Sequence, residues 1–157
     1  VVIAPDEGGV KRASFFARTL QTKLAIMHKE RDYSKVNEVT SIKLLGDVHG
    51  KDVLLVDDMI DTAGTLVTAA RTLKQQGANK IYFCTSLACL NDPAIERLDI
   101  LYKEGILTQL ITTDAIYHGK LNTTYPWYTE VSVGDYFAQV IHTVNKGESV
   151  SKLLQKQ

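Results

Sequence analysis

Short apolar runs alternate with amphipathic stretches along the chain, regularly enough to predict its elements. Val1, Val2, Ile3 and Ala4 read as a strand, and residues 9–20 as a helix with Val10, Ala13, Ala17 and Leu20 on one stripe. A short strand is expected at 24–27. Residues 28–50 are polar and irregular, with a hairpin expected around 38–45. Val53 to Val56 form a strand of four apolar residues, and 66–76 a helix with Leu66, Ala69, Ala70 and Leu73 facing inward. Gly77 is placed as the stop of that helix. A strand at 81–87, a helix at 93–104 with Pro93 in its first turn, and a strand at 107–112 come next. Val131 and Val133 suggest a last short strand before a helix at 135–144.

This alternation of strand and helix predicts an α/β fold, a parallel β-sheet flanked by helices on both faces. In such sheets ligands bind beyond the carboxyl ends of the strands. Three segments rich in chemistry fall there, residues 5–9, 28–31 and 57–65. No repeat, low-complexity tract or internal linker interrupts the pattern.

Composition narrows the class. The 157 residues make one domain with room for a core. With 18 basic and 18 acidic residues the net charge is zero, which argues against nucleic acid as a partner. No apolar run approaches a membrane span, so no membrane partner is expected. Cys84 and Cys89 fit neither a redox pair nor a zinc knuckle; they read as small buried hydrophobes in a reducing cytosol. The histidines at 28, 49, 118 and 142 are scattered and suggest no metal cluster. The opening Val-Val-Ile-Ala reads as a strand entering a sheet rather than a signal peptide, and predicts that this is a piece of a longer protein.

The run VLLVDDMIDTAGT at 53–65 carries the most chemistry. Asp57 and Asp58 stand where the apolar strand ends, and Asp61, Thr62, Ala63, Gly64 and Thr65 form a small-residue loop before a helix. Backbone N–H groups, the Thr62 and Thr65 hydroxyls and the helix N-terminus suit a phosphate group. A turn with a helix cap is the plainer reading of the same loop. Asp61 is unusual beside an anion, and its carboxylate is expected to tie down the loop's own N–H groups. Two adjacent carboxylates repel, so sugar hydroxyls, Mg²⁺ through its waters or nearby cations must offset that cost. Asp6 comes after the first strand and is either a helix N-cap or a ligand. Lys29 and Arg31 lie in a polar run expected to be a loop, where a solvated charge run is the plainer reading. The segment of Gly147, Glu148, Ser149, Val150 and Ser151 reads as a helix end leading into a tail.

These residues resemble a known family. VDDMIDTAGT is similar to the phosphoribosyl diphosphate binding motif of type I phosphoribosyltransferases, most of all in the form found in the ribose-phosphate pyrophosphokinase family. VVIAPDEGGVKRA resembles that family's strand-to-helix segment; HKER, NEV and GDV recur in its order, and NKGESVSKLL resembles its ending. The resemblance is thin between about 84 and 135. It implies a type I phosphoribosyltransferase-like domain spanning 1–157, the C-terminal one of a two-domain chain. It further implies transfer of diphosphate from ATP to ribose 5-phosphate, giving phosphoribosyl diphosphate and AMP, in the cytoplasm. By the resemblance, Asp61, Thr62, Ala63, Gly64 and Thr65 hold the 5-phosphate and Asp57 and Asp58 the ribose hydroxyls. Asp6 helps hold Mg²⁺, while Lys29 and Arg31 close over the reacting phosphates. Ser149, Val150 and Ser151 would belong to an effector site, with inorganic phosphate as activator and a hexameric homo-oligomer as the assembly. The fragment alone is expected to bind sugar phosphate weakly and turn over little.

The chain departs from the family pattern at Glu7, where a small residue is usual, across 84–93, and across the aromatic stretch 118–128, for which packing is the preferred reading over a lid or subunit contact. The rivals are a nucleobase phosphoribosyltransferase, which needs a base-binding hood that is not seen, and a non-catalytic regulatory relative. The latter usually loses part of the loop or the Lys-x-Arg pair; both are intact here.

Overall fold

A computed structural model describes residues 1–31 and 39–154. In chain order it contains β1 (Val2–Ala4), α1 (Val10–Thr19), β2 (Leu24–Arg31), β3 (Val39–Leu45), β4 (Val53–Ile60), α2 (Gly64–Gln75) and β5 (Ile81–Ala88). α3 (Ala94–Lys103), β6 (Leu107–Thr113), α4 (Leu121–Thr124), β7 (Tyr128–Val131), α5 (Gly134–Asn145) and α6 (Ser151–Leu154) complete it. The strands form one sheet in the order β3-β2-β1-β4-β5-β6-β7. Neighbours run parallel except β2 and β3, which are antiparallel.

Successive strand residues face opposite sides of a sheet, and the core divides accordingly. Ile3, Val53 and Leu55 pack with Leu66, Ala69, Ala70 and Leu73 of α2 and with Leu98 and Leu101 of α3. Val2, Ala4 and Val56 pack on the other side with Ala13 and Ala17 of α1. Helices therefore cover both faces, as the alternation predicts. The chain moves outward from β1 through β2 and then returns to place β4 on β1's other side. That reversal opens a crevice between the carboxyl ends of β1 and β4, the usual ligand position in open α/β sheets.

Two strands run further than their apolar residues suggest. β4 continues to Ile60 because Asp57, Met59 and Ile60 stay in register with Thr85, Leu87 and Ala88 of β5. The acidic pair is thus inside a strand, not beyond its end. β2 continues past Met27 to Arg31, with Lys29 opposite Ile42 and Arg31 opposite Val39. This corrects the expectation of an irregular loop for Lys29 and Arg31: their backbone is one arm of an antiparallel pair. The hairpin expected within 38–45 is instead a single strand, with β2 as the other arm. A main-chain ladder depends on backbone N–H and C=O groups, so polar side chains do not end it. The last strand ends at Val131, ahead of the expected Val133.

The aromatic stretch packs into the body of the domain, as expected. Trp127 is fully buried, its Nε1–H donates to Asp99 Oδ1 at 3.1 Å, and the Tyr125 ring lies 5.1 Å away. Cys84 and Cys89 are free thiols, half-buried rather than fully buried, and burial pushes the Cys84 thiol up. Among the described residues no helix is long and apolar enough to cross a membrane.

α2 ends as its sequence requires. Gly77 has φ +83°, its N–H donates to Lys74 O at 3.0 Å, and the Ala78 N–H donates to Leu73 O at 3.0 Å. This double bond pattern needs a left-handed residue just past the helix. A Cβ on Gly77 would also stand 2.6 Å from His49 Cδ2. Gly77→Ala should therefore lower stability by about 1–2 kcal/mol from the left-handed backbone alone, and further through the His49 ring. Urea unfolding measures it, as a lower midpoint at unchanged slope.

Candidate functional site

A cavity of about 300 Å³ opens at the carboxyl ends of β1 and β4. It is lined by Asp6, Asp57, Met59 and Ile60, by Asp61, Thr62, Ala63, Gly64 and Thr65, and by Leu66. Seven of the predicted site residues therefore share one wall. Asp58, the adjacent acid, does not line it.

Strand geometry accounts for that division. Asp57 continues the side of β4 that carries Val53 and Leu55, whereas Asp58 continues the side of Val56. Arg12, one turn into α1, joins them: Nη1 donates to Asp57 Oδ1 at 2.9 Å and Nη2 to Asp58 Oδ2 at 2.8 Å. Of the offsets open to the sequence, a nearby cation is the one found. Sequence reasoning missed Arg12; its signal was an Arg on the helix after the Asp6 turn, at the edge where the acids needed a counter-charge.

The two carboxyls titrate in opposite directions. Burial pushes Asp57 up, and the neighbouring Asp58 adds to this, against the pull of the Asp58 N–H and of Arg12. Burial also works against ionised Asp58, but the hydrogen bond shared with Asp57 and the Arg12 charge outweigh it, and Asp58 falls below its ordinary value. A raised and a lowered carboxyl side by side is the usual outcome when two acids share one environment.

The small-residue loop at 61–65 has a distinctive backbone. Ala63, at the start of α2, has φ +61°, a left-handed conformation that costs a non-glycine residue about 1–2 kcal/mol. A left-handed residue leading into a right-handed helix points successive N–H groups into one concavity. Arg97 of α3 donates from Nη1 to Thr62 O at 2.8 Å. The partner of the Asp61 carboxylate is Asn91, whose Nδ2 donates to Oδ1 at 2.6 Å. This corrects the expectation that Asp61 ties down its own loop. Neither Arg97 nor Asn91 was foreseen, because each lies some thirty residues on in sequence, in the stretch where the pattern was least informative.

The cap residue of α1 is Gly9, which corrects the helix N-cap reading of Asp6. Asp6 Oδ1 accepts the Gly9 N–H at 2.9 Å, anchoring the turn into α1, while the side chain also lines the cavity. Glu7 turns to His28 Nδ1 at the β2 side of the crevice. Among the described residues no group of three or more metal-ligating side chains gathers. Asp6 and Asp57 both line the cavity, and carboxylates are the ligand type that suits a hard cation keeping most of its waters. The side chains of Lys29 and Arg31 lie outside the described residues, as does the run 32–38 beyond them. Ser149, Val150 and Ser151 do not line the cavity; they come after a helix end closed by Gly147 at φ +67° and lead into α6.

Comparison with known proteins adds the lineage. The model of the phosphoribosyl transferase domain family matches residues 1–116. Over its full length the chain is 42% identical to a ribose-phosphate pyrophosphokinase of Chlorobaculum tepidum, spanning 46% of that protein. It is 40% identical to ribose-phosphate pyrophosphokinase A of Dictyostelium discoideum, covering 98% of this chain and 46% of the relative. The chain thus spans about half the length of the curated relatives it matches. A solved phosphoribosylpyrophosphate synthetase from Mycobacterium smegmatis superposes with a TM-score of 0.79 at 31% identity, over 93% of this chain and 45% of that one.

The Arg12 clamp has a direct titration signature. In Arg12→Ala both carboxyls lose a counter-charge, so Asp57 and Asp58 should each titrate at higher pH by carboxyl-carbon NMR. In the wild type, stability from the lowered Asp58 is present above the ordinary carboxylate range and is lost as pH falls through its folded value. The raised Asp57 acts the other way, its contribution being lost as pH rises through its folded value. Unchanged titration in the variant would detach Arg12 from the pair.

Proposed function

The chain belongs to the phosphoribosyl transferase domain family, and on that footing we propose that it is the sugar-phosphate-binding domain of a ribose-phosphate diphosphokinase. The observation that carries this reading is the single cavity in which Asp6, Asp57 and residues 61–65 meet at the strand crossover. The relatives named as ribose-phosphate pyrophosphokinases support the choice within the family.

In this reading the N–H groups and hydroxyls of Thr62, Ala63, Gly64 and Thr65 receive the 5-phosphate of ribose 5-phosphate at the N-terminus of α2. Asp57, which lines the cavity, accepts hydrogen bonds from the vicinal ribose hydroxyls, while Asp58, outside the cavity wall, shares Arg12 with it, and that cation offsets part of their repulsion. The anomeric oxygen attacks the β-phosphorus of ATP. A new O–P bond forms there, the bond from that phosphorus to the oxygen shared with the α-phosphate breaks, and AMP leaves with the oxygen. The hydroxyl proton passes to solvent. Mg²⁺, held with help from Asp6, neutralises phosphate charge when bound. Lys29 and Arg31, at the end of β2, stabilise the transferring diphosphoryl group, a step that depends on positioning and cations.

The whole enzyme would include a further domain supplying much of the ATP site, and would work as a homo-oligomer in the cytoplasm. The assembly proposal draws on α5, where Phe137, Ile141 and Val144 form an apolar stripe 52–67% exposed while Thr143 is buried. A helix of this length is marginal in water without a packing partner. Ser149, Val150 and Ser151 are proposed as part of a phosphate effector site in that assembly.

The test is AMP release from ATP and ribose 5-phosphate by the longer chain, with Mg²⁺ and phosphate present. Sugar-dependent AMP is expected. Its absence, with phosphoribosyl diphosphate still bound, would favour a transferase or a regulatory subunit. Substituting Lys29 and Arg31 by alanine should lower kcat by about 100-fold or more while changing sugar-phosphate affinity little. The 157-residue chain alone should bind ribose 5-phosphate weakly and release almost no AMP.

A further inference from the structure

The residues that would touch a phosphate are gripped from behind by two side chains that do not line the cavity. Arg97 Nη1 donates to Thr62 O at 2.8 Å, and Asn91 Nδ2 donates to Asp61 Oδ1 at 2.6 Å. Between these contacts and the start of α2 stands Ala63 with φ +61°. Building on the sugar-phosphate reading of this loop, we propose that Arg97 and Asn91 are positioning residues that hold the left-handed Ala63 turn in its anion-binding form.

The peptide plane supplies the mechanism. In a trans peptide the C=O and the following N–H point in opposite directions. Thr62 and Ala63 line the cavity and Arg97 does not, so a Thr62 carbonyl drawn to Arg97 turns the Ala63 N–H toward the cavity. Alanine has no intrinsic preference for a positive φ. Released, it would relax to the ordinary right-handed or extended regions and rotate that N–H away. Strained residues of this kind persist only where their surroundings over-determine them. Arg97 fixes the peptide before Ala63, Asn91 holds Asp61, the residue before Thr62, and the first turn of α2 fixes the backbone after Ala63. The half-buried guanidinium also stands 3.5 Å from where a Cβ on Gly64 would lie, so Arg97 sits against the helix start as well.

Two routes from Arg97 to phosphate affinity are separable: holding the backbone, or attracting the anion by charge. Glycine adopts a positive φ without penalty, so it bypasses the first route and leaves the second untouched. The experiment measures ribose 5-phosphate binding to the 157-residue chain by calorimetry, together with the NMR coupling between the Ala63 N–H and Hα, which reads its φ, without ligand. Arg97→Ala should weaken binding by about tenfold, the scale of one charge-assisted hydrogen bond, and move the Ala63 coupling off its left-handed value. Asn91→Ala should act in the same direction. Adding Ala63→Gly to Arg97→Ala should restore most of the affinity, and Arg97→Gln, a neutral donor that also guards against loss of folding, should retain more affinity than Arg97→Ala.

Wild-type affinity in Arg97→Ala would overturn the proposal. So would a double variant as weak as Arg97→Ala, which would mean that charge, not geometry, is the link. If the wild-type chain binds no ribose 5-phosphate, the sugar-phosphate reading falls. The Ala63 coupling then decides the positioning claim by itself: a shift in Arg97→Ala supports it, an unchanged coupling refutes it.

Discussion

Two neighbouring carboxylates inside one strand set the main electrostatic constraint on this domain. Asp57 and Asp58 point to opposite faces of β4, yet both lie within reach of the single guanidinium of Arg12. That arrangement fixes where α1 must sit relative to β4. It also ties the turn that carries Asp6 to the strand that carries the acids, because α1 begins just after that turn. The crevice walls are therefore joined by charge as well as by the apolar contact of Ala13 and Ala17 with Val56.

The opposite wall is organised by backbone conformation instead. The loop after β4 needs a left-handed residue to turn into α2, and the chain places alanine there rather than glycine. Alanine limits the freedom of the unfolded loop but requires outside support in the folded one. α3 and the turn before it provide that support through Arg97 and Asn91. The site is thus built from three elements around the sheet: α1 holds the acids, β4 presents them, and α3 holds the loop. Arg12, Asn91 and Arg97 all stand outside the cavity lining.

Several elements were legible in the residues alone. The apolar runs at 53–56 and 81–87, the stripe of Leu66, Ala69, Ala70 and Leu73, and Gly77 as a helix stop each arise from local chemistry. So did the sharing of one sheet edge by Asp6, Asp57 and residues 61–65, because strand ends in a parallel sheet fall together. The lengths of β2 and β4 were not legible. Each strand outruns its hydrophobic residues because a neighbouring strand completes its hydrogen bonds, β5 beyond the intervening α2 for β4 and the next strand, β3, for β2.

What the sequence by itself determined is the α/β class, the small-residue loop after β4, the acidic pair and the demand for something to offset their repulsion. Those features depend on residue type and on spacing within one turn or one strand. Tertiary structure decided which group meets that demand, Arg12, and which groups hold the loop, Arg97 and Asn91. It also split Asp57 from Asp58, one lining the cavity and titrating high, the other outside the cavity wall and titrating low. The physical reason is distance along the chain: Arg12 acts across 45 residues and Arg97 across 35. Only the packing of α1 and α3 on the sheet brings those charges to the site.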